Sequence, residues 1–409
     1  MENIKNPKAE EYSRFYRNHL LEDVMPFWMK SDLIDPLEGG YITSIDRYGK
    51  SYNYDKSVWF QGRGLWTFSA LCRKYSVRED WLSAALSGKT FLEKYCTDQD
   101  GRMFFQITRD GRPLRKRRYI FSESFYVAGM AEYGAMASDT DALAKAVRVF
   151  EQMLQIYHHP DQDPYKITPK SFEGTRKERS AAVPMVLISG AQVLRRCDPA
   201  NAEHYSEVVT EMADTILQYH YQPELKCVLE NVLEDGSLTD NPSGRTMNPG
   251  HTCENSWFIM SEAVYSENDD LLQKALNMLD WSLERGWDKE FGGILYFVDI
   301  EARPCEQLEW DMKLWWVHNE ALIATLMAYG LTGDEKYWAW FKKIHNYAFS
   351  HFHDSEFGEW YGYLHRDGTV SHTQKGSMWK GPYHLPRCLM ICEDLLAKIA
   401  AGEKITSIL

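Results

Sequence analysis

Apolar residues recur at intervals of three and four along most of the chain, which is the spacing that places them on one face of a helix. Segments with this pattern are Tyr12–Phe27, Ser57–Tyr75, Trp81–Tyr95, Ser122–Ala137, Ala142–Tyr157, Ala181–Leu194, Glu203–Tyr219, Trp257–Tyr265, Leu271–Arg285, Lys313–Gly330, Glu335–Phe352 and Pro386–Ile399. The pattern therefore predicts an all-α protein of about twelve helices.

Short segments with turn glycines and β-prone residues lie between alternate helices. They are centred near Gly40, Gly101, Glu230, Gly293 and Gly358, and a degenerate copy at Phe172–Gly174 fills the one double gap, so that the period is about 64 residues. Each unit consists of two helices and a short hairpin, and it cannot bury its apolar face alone. The period fits the chain six times.

Six such units predict an (α/α)6 barrel, a toroid whose inner helices line a central funnel, with short β-hairpins between the helix pairs. An open superhelical solenoid is the alternative, although solenoid repeats are usually shorter and closer to a consensus. No Pro/Ser-rich linker interrupts the chain. We therefore expect residues 1–409 to form one catalytic domain.

The charge balance argues against a nucleic-acid partner or an anionic membrane surface, because the net charge is −13. One basic segment, residues 109–118, holds six Arg and Lys residues and is either a solvated loop or a local anion site. No apolar run approaches the ~18 residues of a membrane span, and the first residues lack the apolar stretch of a signal peptide. Eight cysteines without a CxxC pair indicate reduced thiols, so we expect a cytoplasmic protein.

A helix start at residues 248–257 carries the first candidate chemistry. Pro249 and Gly250 break the chain before His251 and Glu254, which share a helix face at a spacing of three. A carboxylate beside an imidazole fixes its tautomer and tunes its pKa. An ordinary polar helix start would have the same residues.

Two further candidates lie among apolar and aromatic neighbours. Arg63 must be paired in a buried salt bridge or bind an anionic group, because a buried guanidinium without a partner is costly. Trp316 and Glu320 share a helix face, where a ring beside a carboxylate can hold a sugar hydroxyl. Core packing is the alternative for the tryptophan. Aromatic residues make up 14% of the chain, enough to line a sugar pocket by stacking or to fill a large helical core.

The last candidate is the loop at residues 376–387, in which two glycines and two prolines restrict the backbone before the last helix. We expect this loop to hold His384 rigidly, whereas a histidine in an ordinary loop is exposed and without function. Trp379 and Lys380 belong to the same loop, and we predict that they bind substrate.

Together these stretches resemble the N-acylglucosamine 2-epimerase family, which includes cellobiose 2-epimerases and related sugar isomerases. The matching motifs are Asp23–Trp28, Asn248–His251, Gln307–Asp311, Lys313–His318 and His384–Arg387. Each motif is short, but they occur in order and cover nearly the whole chain. The resemblance implies an (α/α)6 barrel and a cytoplasmic homodimer that epimerises an amino sugar at C2 without a metal or redox cofactor.

By the family's pattern, His251 and His384 are the two bases that remove and return the C2 proton on opposite faces of an enediolate. Two histidines suit this reaction, because an ordinary pKa near 6.5 lets each give or take a proton. Arg63 stabilises the enediolate oxygen. Glu254 and Glu320 orient the histidines or hold hydroxyls.

One difference from the cellobiose 2-epimerases indicates which branch of the family this chain resembles more. Cellobiose 2-epimerases carry a further histidine on the helix that begins near Ala181, and this chain has no histidine between His159 and His204. The chain is therefore closer to the N-acylglucosamine branch, which implies interconversion of N-acetylglucosamine and N-acetylmannosamine in sialic acid metabolism. That branch also responds to ATP as an activator, although the sequence contains no GxxxxGK[ST] loop.

Three alternatives remain open. An aldose–ketose isomerase or neutral-sugar 2-epimerase uses the same enediolate. An inverting glycosidase needs two carboxylates roughly 6.5–9.5 Å apart and no histidine pair. A non-catalytic, renin-binding-like protein, a function also linked to mammalian relatives, would not need His384.

Overall fold

The computed structural model describes residues 4–116, 120–165 and 177–406, and within these ranges twelve long helices alternate with short strands. The helices are α1 (Ala9–Asn18, continuing through a π-helical segment His19–Val24 into Met25–Lys30), α2 (Val58–Lys74), α3 (Glu79–Tyr95), α4 (Phe121–Ala137), α5 (Thr140–His158), α6 (Ala182–Cys197), α7 (Ala202–Thr215, continuing into Ile216–His220), α8 (Pro249–Tyr265), α9 (Asp269–Gly286), α10 (Trp315–Thr332), α11 (Glu335–His351) and α12 (His384–Ala401). The predicted helices agree with these bounds to within a few residues, except that α8 begins well before the periodic segment at Trp257, at the helix start predicted for residues 248–257.

The helices form two concentric rings. Helices α2, α4, α6, α8, α10 and α12 pack side by side in the inner ring, and each is covered by one outer helix. The ring closes between α12 and α2, where the Thr67 hydroxyl donates to the carbonyl of Pro382 and Lys74 pairs with Asp394. The first helix completes the outer ring, since it packs against α12 and, through Tyr12 and Trp338, against α11. The predicted (α/α)6 barrel is therefore confirmed, and the open solenoid is wrong.

The apolar pattern explains which helices lie inside. Nearly every residue of α10 is buried, and its sequence is apolar on all sides, as expected for a helix enclosed by neighbours. The outer helix α5 instead buries a single stripe that includes Ala146, Phe150 and Met153. The inner helices therefore have no solvent face except at their ends.

The strands are short and pair antiparallel. They are β1 (Ser44–Ile45), β2 (Ser51–Asn53), β3 (Lys56–Ser57), β4 (Gln106–Ile107), β5 (Pro113–Arg115), β6 (Glu178–Ser180), β7 (Tyr221–Gln222), β8 (Cys227–Val228), β9 (Asn231–Leu233), β10 (Thr246–Met247), β11 (Val298–Asp299), β12 (Lys313–Leu314), β13 (Tyr363–Leu364) and β14 (Val370–His372). Strands β3, β6, β10 and β12 each lie directly before an inner helix and pair with a strand that follows the next outer helix. This pairing fixes the N-termini of the inner helices at one rim of the barrel. The predicted degenerate copy at Phe172–Gly174 lies outside the described residues.

A buried ion pair recurs with the repeat. In three units an aspartate in the turn after an outer helix pairs with a lysine further along the chain: Asp35 with Lys56 at 2.8 Å, Asp288 with Lys313 at 2.9 Å, and Asp354 with Lys375 at 3.1 Å. All six side chains are almost fully buried. The repeat therefore appears in the positions of buried ion pairs as well as in those of the turn glycines.

The basic segment at residues 109–118 forms ion pairs in its described part. Arg109 pairs with Asp35, Arg112 with Asp110, and Lys116 with Asp98 and Asp100, so most of the charges described in the basic segment are matched by carboxylates. All eight cysteines lie in the described ranges as free thiols. Among the described residues, no helix is both long and apolar enough to span a bilayer.

Candidate active site

The predicted site residues meet at the rim where the inner helices begin. Arg63 lies in the second turn of α2, Glu254 in that of α8 and Glu320 in that of α10. His251 lies in the first turn of α8, where Asn248 caps the helix by accepting from the His251 backbone N–H. Helix N-termini carry partial positive charge, so this rim favours a ligand that develops negative charge.

His384 is the first residue of α12 rather than a loop residue. Its Nδ1 lies 2.8 Å from Oε1 of Glu320. A carboxylate only accepts hydrogen bonds, so Nδ1 of His384 carries a proton and Nε2 is the nitrogen left for chemistry. Glu320 is fully buried, and the Trp257 indole donates to its other oxygen at 2.9 Å. Glu320, which is itself held by Trp257, therefore fixes the orientation of the His384 ring.

A buried guanidinium joins the two glutamates of the site. Arg387 lies one helical turn after His384 and donates from one nitrogen to Glu320 and to Glu254, both at 2.7 Å. The sequence predicts that Glu254 orients a histidine or holds a hydroxyl, and in the structure its Oε1 accepts from Arg387. The residues His384, Arg387, Glu320 and Glu254 thus form one connected buried network.

His251 has a different carboxylate partner from the one that its helix face suggested. Its Nδ1 lies 3.0 and 3.1 Å from the two oxygens of Glu230, a residue just before β9. Glu254, three positions along α8, instead faces Arg387. The prediction that Glu254 pairs with His251 is therefore wrong, because the hairpin of the preceding unit brings Glu230 closer.

Trp316 contacts both histidines. Its ring centroid is 5.3 Å from that of His251 and 5.9 Å from that of His384. Both histidines direct Nδ1 to a carboxylate, so the two Nε2 atoms remain for a ligand near this indole. A sugar ring or its open chain stacked on Trp316 would then lie close to both imidazoles.

The two histidines differ in their electrostatic surroundings. Burial lowers the pKa of His251, but Glu230 and, more distantly, Glu254 and Glu320 outweigh burial and raise that pKa above its usual value. Burial, Arg63 and Arg387 together hold the pKa of His384 well below 6.5. The site therefore contains one imidazole that favours its proton and one that does not.

Arg63 lies on the same rim with its guanidinium over the Phe125 ring, 4.0 Å from the centroid. One terminal nitrogen donates to the backbone carbonyl of Trp379 at 3.0 Å, and the buried Nε has no hydrogen-bond partner. Burial lowers the pKa of Arg63 to about 10, so the group is still a cation near neutral pH. No carboxylate pairs with Arg63 among the described residues, which leaves its charge available for an oxyanion.

Trp379 lies at the mouth of the site. It packs against Trp59 and Phe105, with ring centroids 5.5 Å away in both cases, and 42% of its surface is exposed. An exposed ring at the mouth can stack on a sugar that enters or extends out of the funnel.

Lys380 does not reach the site. Its ammonium donates to Glu359 at 2.8 Å and to the carbonyl of Lys375, and the side chain is 1% exposed. Glu359 also accepts from the Trp28 indole. We therefore remove Lys380 from the predicted substrate-binding residues, because its charge is used to hold the loop before α12 against a neighbouring turn.

Part of this network has the residue types and spacing of a metal site. Ligand atoms of Glu254, Glu320 and His384 lie within 4.8 Å of one another. Arg387, however, donates to both carboxylates from the same nitrogen. A guanidinium between two glutamates already supplies the positive charge that a metal ion would bring.

Comparison with known proteins identifies the family. Residues 40–388 match the family model for N-acylglucosamine 2-epimerase (GlcNAc 2-epimerase). The N-acylglucosamine 2-epimerase of Mus musculus is 38% identical over 93% of this chain and 90% of its own length.

Solved structures show the same fold. The cellobiose 2-epimerase of Bacillus thermoamylovorans superposes with a TM-score of 0.81 at 22% identity, over 94% of this chain and 99% of that one. A D-mannose isomerase superposes with a TM-score of 0.81 at 19% identity, over 94% and 97% of the two chains. The chain thus belongs to the N-acylglucosamine 2-epimerase family and is a sugar 2-epimerase.

Proposed function

We propose that this epimerase interconverts N-acetylglucosamine and N-acetylmannosamine. The observation that carries the proposal is the pair of histidines in contact with Trp316, each with Nδ1 held by a glutamate. Inversion at a carbon next to a carbonyl needs one base on each face, and this pair provides two. The 38% identity to the mouse N-acylglucosamine 2-epimerase supports the choice of the amino sugar.

The reaction starts from the open-chain sugar, whose C1 carbonyl acidifies the proton on C2. One histidine takes this proton through Nε2, and the C–H electron pair forms the C1–C2 double bond while the carbonyl electrons move to O1. The other histidine then donates its proton to C2 from the opposite face, the electrons return from O1, and the carbonyl is restored. Histidine suits both steps because it can accept or donate near neutral pH.

Arg63 stabilises the negative charge that O1 acquires in the enolate. Its guanidinium is a cation in a water-poor aromatic setting, where a charge–charge interaction is stronger than in solvent. The partial positive charge of the helix N-termini acts in the same direction. Trp316 and Trp379 supply stacking surfaces for the sugar. Glu254 uses Oε1 to bind Arg387, and its second oxygen can accept from a sugar hydroxyl.

The geometry does not favour an inverting glycosidase. That reaction leaves room for a water molecule between carboxylates roughly 6.5–9.5 Å apart. The facing oxygens of Glu254 and Glu320 lie within 4.8 Å, with Arg387 bonded to both. The two carboxylates are therefore too close together, and too firmly paired with Arg387, for that arrangement.

Proton NMR with a panel of sugars in D2O tests the proposal. The protein is incubated separately with N-acetylglucosamine, N-acetylmannosamine, glucose, mannose and cellobiose, with and without ATP. We expect the two N-acetyl sugars to interconvert. Conversion of mannose or glucose to a ketose instead would assign an isomerase, and no reaction with any sugar would favour the renin-binding-like protein.

Four further expectations are part of this proposal. We propose one catalytic domain over residues 1–409, because the site draws its residues from α2, α8, α10 and α12 of a single ring. We keep the homodimer, the cytoplasmic location and the nucleotide activator as proposals that follow from the family. Eight free thiols fit a reducing compartment, and the arm of the NMR panel that contains ATP tests activation.

A further inference from the structure

The two histidines differ in the net charge around them. The glutamate oxygen beside His384 also accepts from Arg387, whereas both oxygens of Glu230 contact His251. We propose that Arg387 and Glu230 are positioning residues that hold His384 as a neutral base and His251 as an imidazolium in the free enzyme. This inference rests on the proposed two-base reaction. It adds which histidine starts as the base and which residues decide it.

On the His384 side, the nearest carboxylate is already neutralised. Glu320 approaches Nδ1 at 2.8 Å, but the same oxygen accepts from Arg387 at 2.7 Å. The Arg387 nitrogen lies 3.5 Å from Nδ1 of His384. A second proton on this imidazole would therefore form beside a guanidinium in a buried setting.

The other charged or titratable groups that face His384 do not reverse this balance. Arg63 adds a second cation, and His251 adds a third when it is protonated. Glu254 opposes them, but it is paired with Arg387. The phenol of Tyr383, next to His384 in the chain, accepts from Arg387 at 3.2 Å. His384 therefore rests with its proton on Nδ1 and a lone pair on Nε2.

On the His251 side, both oxygens of Glu230 contact Nδ1. Glu254 and Glu320 add negative charge at longer range, and the Trp316 ring lies alongside the imidazole. An opposite charge within about 4–6 Å favours the charged form of a group by one to three pKa units. His251 therefore rests with protons on both nitrogens, and it is the acid at the start of the reaction.

The proton balance gives this arrangement a direction. A turnover moves the C2 proton to His384 and takes one proton from His251, so the enzyme that releases product has its two charges exchanged. It must return one proton to solvent and take one up before it binds the same epimer again. The epimer whose C2 proton faces His384 therefore binds the major protonation state of the enzyme. The other epimer reacts only with the minor protonation state.

Histidine NMR on the free protein tests the proposal without requiring turnover. Protein labelled with ¹³C and ¹⁵N in the histidine rings is titrated between pH 4.5 and 9, and the two signals are assigned with His251→Gln and His384→Gln. At pH 7 we expect the His384 ring to be the neutral Nδ1–H tautomer and the His251 ring to be the imidazolium. His318, which is buried and bonded to the Leu314 carbonyl, serves as the unaffected reference.

Three variants test whether Arg387 and Glu230 set the charge of the histidines rather than only stabilise the fold. Arg387→Met should raise the titration midpoint of His384 by about one pH unit or more, and Arg387→Lys should restore a low midpoint by returning a cation. Glu230→Gln should lower the midpoint of His251 by a similar amount. Glu230 keeps 15% of its side chain exposed, so its substitution tests the proposal even where Arg387→Met does not fold.

Equal charge states of the two histidines at pH 7 would overturn the inference, as would a His251 midpoint that stays in place in Glu230→Gln or a His384 midpoint that stays in place in folded Arg387→Met. Absence of sugar conversion by a protein with the expected titrations would overturn the proposed function instead. Normal conversion with two matching titrations would overturn only the resting asymmetry. The two proposals therefore fail in different experiments.

Discussion

Nδ1 of His384 lies 2.8 Å from Oε1 of Glu320, although 64 positions separate the two residues in the chain. The same carboxylate accepts from Trp257 through its other oxygen and from Arg387. One buried glutamate on α10 therefore holds groups from α8 and α12 in register. The precision of the site depends on the closed ring, because these helices come from different units.

Glu320→Gln should lower kcat by roughly 10²–10⁴-fold, because general acid–base catalysis contributes about that much and His384 would lose its fixed tautomer. The KM should change less, since Trp316 and Trp379 remain for stacking. Steady-state kinetics measure both constants. Glu284→Gln, an exposed change on the outer helix α9, is the matched control and should leave both constants unchanged. Full activity in Glu320→Gln would contradict the assigned role.

Asparagine in place of either histidine should abolish epimerisation and leave the circular dichroism melt unchanged. Each variant should still exchange the C2 proton of one epimer with D2O, because the remaining histidine can remove and return a proton on its own face. His251→Asn and His384→Asn should therefore act on different epimers. NMR of each N-acetyl sugar with each variant measures this exchange. Exchange of the same epimer by both variants, or retained turnover, would refute the two-base assignment.

The sequence predicted more of the fold than of the site's contacts. The barrel follows from the helical period and the repeat, both of which are local patterns. Among the site residues, Arg387 could have been found, since it lies one helical turn from His384 and therefore on the same face. Glu230 could not, because its contact with His251 depends on how β6, β9 and β10 bring one unit against the next.

Lys380 illustrates the opposite error. Its place in a restricted loop beside Trp379 suggested a ligand contact, but a lysine in such a loop can equally turn inward. Glu359 and the carbonyl of Lys375 satisfy its ammonium there. Sequence patterns indicate which segments matter, whereas the direction of a side chain depends on partners that are distant in the chain.

Lys313→Met should lower the free energy of unfolding by about 3 kcal/mol, because it leaves Asp288 buried without its closest cation. Arg366 also contacts Asp288, which keeps the expected loss at the lower end of the range for broken buried pairs. Urea denaturation measures the change. Lys336→Met removes a surface pair with Asp280 and should cost less than about 1 kcal/mol. Equal effects of the two changes would contradict the importance of the recurring buried pair.

Acid should destabilise the fold through buried neutral histidines. Burial lowers the pKa of His19 to about 4, of His345 to about 4 and of His318 to about 3. Each value lies below the ordinary 6.5 of the unfolded chain, so unfolding takes up protons, and stability is complete above pH 6.5 and is lost as the pH falls toward 4. For a group as buried as His19 the loss is about 3 kcal/mol.

Urea denaturation at several pH values measures this dependence. His345→Gln, which keeps a hydrogen-bonding partner for the Tyr16 hydroxyl, should make the loss between pH 6.5 and 4 shallower. His372→Gln changes an exposed histidine and should leave the slope unchanged. A slope that is identical in both variants and the unmodified protein would assign acid unfolding to other groups.

The central claim is that two different histidines act on the two faces of C2. The most direct measurement is the deuterium content at C2 of the N-acetylmannosamine formed from N-acetylglucosamine in D2O during the first few per cent of conversion. The account predicts product that carries deuterium at C2 while the remaining substrate still carries protium, because the donated proton comes from a histidine equilibrated with solvent. Product that retains the original protium would show that a single base returns the proton it removed, and it would contradict the account.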